Sequence, residues 1–127
     1  MFHIGQRWFS EGEPELGLGV IEKFESKLVT VFFPLAEEFR NYNAKNCPLK
    51  RFLLEIGDDL TNTDGETIKI IDLKEQNNII FYFGQNGAIP ETNLSAKLDL
   101  GGPLQRVMAK SFDSNNFYNL RYQSSLQ

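Results

Sequence analysis

The chain has one cysteine, Cys47, and one histidine, His3, among its 127 residues. A lone thiol closes no internal disulfide and fits a reducing compartment, the cytoplasm. A lone imidazole builds no histidine-based metal cluster. No apolar run approaches the ~18 residues a membrane-crossing helix needs. The opening Met1-Phe2-His3-Ile4-Gly5-Gln6-Arg7-Trp8 lacks the basic-then-apolar order of a secretion signal. Excess positive charge is also missing: the net charge is −4 and the isoelectric point about 5.0, so a uniformly basic coat for nucleic acid is excluded. There is no GxxxxGK[ST] phosphate loop, and Gly17-Leu18-Gly19 runs into Ile21 and Glu22 where a dinucleotide fingerprint needs a third glycine. A calcium loop turning at Gly65 would place Leu60 and Ile71 at its end positions, and neither side chain can ligate. Cys47 precedes Pro48 with no histidine near it in sequence. The expectation is a chain with no catalytic residue, no metal site, no cofactor and no ATPase activity of its own.

Aromatic residues are plentiful. They make up 13%, with 11 Phe, and disordered chains are poor in them. Charge is unevenly spread. Residues 1–55 carry 7 basic and 8 acidic side chains, residues 56–95 carry 2 and 7, and residues 96–127 carry 4 and 2. The acidic middle repels phosphate and suits either solvent or a basic protein surface.

The chain repeats itself. Val20-Ile21-Glu22-Lys23-Phe24-Glu25 resembles Ile70-Ile71-Asp72-Leu73-Lys74-Glu75 at an offset of 50. Leu28–Phe33 resembles Ile79–Phe83 at an offset of 51, and Gly5–Trp8 corresponds to Gly57–Leu60. Each unit reads as short strands rich in β-branched and aromatic residues. Glu25-Ser26-Lys27 and Asn77-Asn78 fill the hairpin turns, and Asp64-Gly65 signals another. The continuous apolar runs predict strands buried on both faces, as in a small closed barrel. Val31, Phe32, Ile71 and Ile80 are the expected core, with Phe32→Ala costing roughly 3–5 kcal/mol. After Pro103, the spacing of Leu104, Val107, Met108 and Phe112 predicts helix over 103–123. The fold class is mainly β: two small, bent antiparallel barrels in tandem, residues 1–55 and 56–100, then a helical tail or linker over 101–127.

Two groups of residues could bind. Arg40 to Arg51 contains Arg40, Lys45, Lys50 and Arg51 with no acid among them, and Tyr42 is interleaved. Cations pair with phosphate and aromatics stack on bases, so the stretch reads either as a weak DNA or RNA contact or as an edge strand guarded by lysines. Exposed aromatics at a barrel mouth can cage a cation; Trp8, flanked by Arg7 and Phe9, could meet Tyr42 and Phe32 across neighbouring strands.

Gly5-Gln6-Arg7-Trp8, Glu15-Leu16-Gly17-Leu18-Gly19, the Val29–Pro34 strand, Gly57-Asp58 and Leu120-Arg121-Tyr122 together resemble the amino-terminal region of the RapA family. These are bacterial RNA polymerase-associated ATPases with a SWI/SNF-type, helicase-like motor. The resemblance implies a pair of Tudor-like (SH3-like) barrels and a non-catalytic regulatory and docking role. The implied parent uses ATP and Mg in its motor to recycle RNA polymerase in transcription. The implied partners are core RNA polymerase and the motor itself. On this reading the chain is the amino-terminal piece of a longer protein whose motor lies elsewhere. The last five residues, 123–127, depart from the family's basic continuation. The alternative is a free-standing barrel that binds nucleic acid weakly through Arg40, Tyr42, Lys45, Lys50 and Arg51.

Overall fold

The structure, a computed structural model, describes residues 2–98. The helix expected over 103–123 lies outside them. Ten strands make up about half of the described chain: β1 (Arg7–Ser10), β2 (Gly19–Glu25), β3 (Leu28–Phe33), β4 (Glu38–Asn43), β5 (Leu49–Arg51), β6 (Asp59–Thr61), β7 (Thr67–Lys69), β8 (Asp72–Gln76), β9 (Ile79–Gly84) and β10 (Gly87–Pro90). Short 3₁₀ turns cover Pro14–Leu16 and Glu91–Asn93. The first unit is one antiparallel sheet ordered β4-β3-β2-β1-β5; the second has sheets β10-β9-β8 and β6-β7.

The repeat is a repeated hairpin. β2 and β3 turn at Ser26 and Lys27, and β8 and β9 turn at Asn77 and Asn78. All four residues have φ between 54° and 68°. Two consecutive positive φ values match the twist of the flanking strands, as in a type I′ turn. Near the turn the two hairpins share an offset of 51, since Lys23 faces Thr30 and Lys74 faces Phe81. In β2 a bulge between Ile21 and Lys23 inserts Glu22, whereas β8 has none. Beyond the bulge, Leu73 stands where Ile21 stands. Ile71, matched to Ile21 at an offset of 50, is therefore not its counterpart; it lies one residue ahead of β8 and is 57% exposed.

Burial in the strands alternates. Val29, Val31 and Phe33 are fully buried, while Phe32 between them is half-buried and Leu28 is exposed. The expectation of strands buried on both faces fails for this reason, and the sheets do not close into hydrogen-bonded barrels among the described residues. Of the four expected core residues, Val31 and Ile80 are buried; Phe32 and Ile71 are not. Phe32 instead stacks on Phe39 of the neighbouring strand, with ring centroids 4.6 Å apart. Phe32→Ala is accordingly expected to cost roughly 1 kcal/mol, the scale of a cross-strand aromatic pair. Urea titration of the two proteins checks this.

The described residues form two cores. One belongs to the first unit: Phe2, Leu16, Ile21, Val29, Val31, Phe33 and Leu49. The other is shared. Phe9, Leu18, Phe52 and Leu54 meet Leu60, Ile70, Ile80, Tyr82 and Leu94 of the second unit. The register explains the sharing. Arg7 faces Val20, Val20 faces Phe32 and Phe32 faces Phe39, so these four form a row on one face of the first sheet. Phe9 lies on that face too, two residues after Arg7. The second unit covers the β1 end of this face and leaves the β4 end bare.

Candidate functional site

Arg7 enters the junction between the units with 3% of its surface exposed. Its Nε donates to the Gly19 carbonyl at 3.0 Å and its Nη2 to Leu18 at 3.2 Å. Its Nη1 donates to the carbonyls of Leu94 at 2.7 Å and Thr92 at 3.2 Å. One guanidinium thus ties the Gly17–Gly19 turn to the strand-ending segment of the second unit. Burial pushes Arg7 down to about 10, opposed by the nearby Glu91 charge, so it stays charged at neutral pH. Gln6 is equally hidden. Its Oε1 accepts from Trp8 Nε1 at 3.0 Å, and its Nε2 donates to the Asn78 carbonyl of the second unit at 2.9 Å.

Glu91 is the counterpart from the second unit and is fully buried. Its Oε1 accepts the Arg7 backbone N–H at 3.0 Å. Its Oε2 accepts Arg51 Nη2 and the Ile80 backbone N–H, both at 2.6 Å. A buried carboxylate survives only when its lone pairs are filled in this way. Leu18 closes the junction from below, its N–H donating to the Ala96 carbonyl at 2.8 Å. Gly17, at φ 80°, leaves that carbonyl room: a Cβ there would lie 2.5 Å from it.

This geometry redistributes the candidate residues. Arg7 is a buried strut, 3% exposed, whose guanidinium is taken up by backbone carbonyls of both units. Trp8 is half-buried, its ring 4.4 Å from that of Phe2. Tyr42 and Trp8 pack against the first-unit core, while Phe32 lies on the opposite face, so the three build no cage. Arg40 is held between Glu38 Oε1 at 2.8 Å and Glu13 Oε1 at 2.9 Å, and these bonds, Glu38 first, keep its guanidinium the more firmly charged. Arg51 is committed to Glu91 and the Asn78 carbonyl. Lys45 is exposed and Lys50 half-buried, and neither has an ionic partner among the described residues. The four-cation cluster reduces to two lysines.

Sequence reasoning passed over the bare end of the first sheet and the acid at the junction. Phe39 is 64% exposed and Leu35 is 51% exposed. Beside them, Val20 and Pro34 border a crevice of about 220 Å³, walled across from them by Thr63, Thr92 and Ser95 of the second unit. Glu91 carried no local signal, because its partners lie 84 residues upstream at Arg7 and 40 upstream at Arg51.

Burial of Tyr82 has a pH consequence. Its hydroxyl accepts the Leu54 N–H at 3.1 Å, and burial pushes it up to about 12. An unfolded tyrosine ionises near ~10. The stability tied to the neutral phenol is fully present below pH ~10 and is lost as the pH rises toward about 12, a difference of roughly 2–3 kcal/mol. The Arg7 shift has the opposite sign and is common to the wild type and Tyr82→Phe. Denaturation of both proteins at pH 9 and pH 12 should therefore show the wild type losing the larger amount.

Comparison with known proteins follows the same division. Residues 2–52 match the family described as RapA N-terminal Tudor like domain 1, and residues 55–110 match RapA N-terminal Tudor like domain. The RNA polymerase-associated protein RapA of Pasteurella multocida is 35% identical over 129 residues, covering 97% of this chain. Those of Cronobacter sakazakii and Histophilus somni are 34% and 33% identical over 130 residues each. The chain spans 13–14% of the length of these relatives. With both units accounted for, the chain belongs to the RapA N-terminal Tudor-like family and comprises its two tandem domains.

Proposed function

We propose that the chain is a non-catalytic regulatory and docking domain of an RNA polymerase-associated ATPase, working in the cytoplasm. Core RNA polymerase is its principal partner, and the parent's own motor is the second. The observation that carries the reading is the Phe32–Phe39 pair, bare on a sheet whose other end is sealed, beside the crevice at Val20 and Pro34. Exposed aromatic anchors next to a concavity are where protein interfaces concentrate their binding energy. The relatives are named for association with RNA polymerase, which supplies the partner.

Phe39→Glu tests this. Phe39 is exposed, so the fold should hold, with stability lowered by only about 1 kcal/mol through loss of the pair with Phe32. Binding to core RNA polymerase should weaken at least about tenfold, as for a hot-spot loss of ~1.4 kcal/mol or more. Unchanged binding by a folded variant would move the docking surface elsewhere. Nucleic acid is the lesser partner. With Lys45 and Lys50 of this segment free to meet phosphate, its share of the log–log salt slope on duplex DNA should be about −2 and should be lost in a Lys45→Glu, Lys50→Glu double variant.

A further inference from the structure

The second unit contains a groove of about 680 Å³ that the docking face does not use. β7 forms one wall and β10 the other, with Gly84 of β9 between them. A Cβ on Gly84 would lie 2.3 Å from Ile68 Cγ2, so the missing side chain is what lets the walls come this close. Both walls are strand edges with no neighbour on the groove side among the described residues.

The backbone of β7 is turned into this space. Asn62 pairs with Glu66 and Asp58 with Ile70 through ladder hydrogen bonds. Hydrogen-bonded and non-hydrogen-bonded pairs alternate along an antiparallel ladder. The pairs Thr61–Thr67 and Asp59–Lys69 are therefore the non-hydrogen-bonded ones. Thr67 and Lys69 thus direct their N–H and C=O groups away from β6, toward the groove. On the other wall, Pro90 ends β10 without an N–H, which makes β7 the better template.

The side chains around the groove indicate what could lie in it. Ile71, exposed just ahead of β8, and Ile89 are apolar. Glu66 is acidic, and the one cation on the lining among the described residues, Lys69, is engaged with Asp59 at 3.3 Å. Residues 56–95 carry 7 acids against 2 bases. A strand alternates its side chains between two faces, so a fitting segment places apolar residues against Ile71 and Ile89 and cations toward Glu66.

We propose that this groove receives an extended segment of a partner protein, alternating apolar and cationic residues, as a strand added to the β7 edge. The proposal is independent of the docking face on the first sheet.

The probe is an eight-residue peptide of alternating valine and lysine, titrated into the 127-residue chain and followed by NMR amide exchange. At ten times its Kd, exchange at Thr67 and Lys69 should slow about tenfold. Thr67→Pro removes the outward N–H, together with the exposed hydroxyl contact to Thr61 at 3.4 Å, and should abolish binding. Should that variant fail to fold, Glu66→Lys, which leaves the backbone intact, should weaken binding at least about tenfold. Four outcomes overturn the proposal. They are no binding at millimolar peptide, binding without protection at Thr67 and Lys69, equal binding of the valine–glutamate peptide, and protection of the same amides by an oligouridine of eight nucleotides.

Discussion

Glu91→Ala should lower the stability of the chain by about 3–5 kcal/mol, the range found when one partner of a buried ion pair is removed. The variant strands three donors at once: the Arg7 and Ile80 backbone N–H groups and the Arg51 guanidinium. Arg7 itself stays buried with its charge, held by carbonyl dipoles alone. Domains of this size have ~5–15 kcal/mol in all, so the variant should approach the limit of folding at 37 °C. Glu91→Gln preserves the shape and one carbonyl acceptor but turns an NH₂ toward a donor, and should fall between the two. Urea unfolding measures both. A loss below ~1 kcal/mol for Glu91→Ala would mean that solvent reaches the junction and rescues the donors.

Phe9→Ala should cost about 3–5 kcal/mol, and the manner of unfolding matters as much as the amount. Phe9 is fully buried in the core shared by the two units, its ring 6.3 Å from Phe52 in an edge-on contact. Since Tyr82, Ile80 and Leu94 pack in the same cluster, the cavity is felt by both units. Thermal unfolding of wild type and variant should each show one transition, coincident for probes in either unit. Two transitions, with only the first unit's shifted, would show that the units stand independently.

The hairpins were legible because their turns announce themselves. Asn77-Asn78 and Ser26-Lys27 need positive φ, and their flanks are β-branched or aromatic. The tandem organisation was legible from the same recurrence. The bulge at Glu22 was not, since an extra residue in one strand leaves composition and pattern intact while moving every residue beyond it. Ile71 was misread for that reason and Phe32 for another: a run of apolar residues on an open sheet is only half buried. At the candidate site, Arg51 read as a free cation because its acid, Glu91, is 40 residues away; of the two acids that hold Arg40, Glu13 is 27 residues away and only Glu38 is near in sequence. Long-range pairing of this kind is a property of the assembled sheets, and local spacing does not encode it.

The chain contains one tryptophan. Its indole N–H is bonded to Gln6, and the other end of that same amide grips the hairpin tip of the second unit at Asn78. Any event that pries the hairpin tip away also loosens the amide and wets the indole. Trp8 emission is thus an intrinsic optical gauge of how firmly the two units are seated. A red shift during titration with a partner, without loss of strand signal in circular dichroism, would register hinge opening in the unlabelled protein.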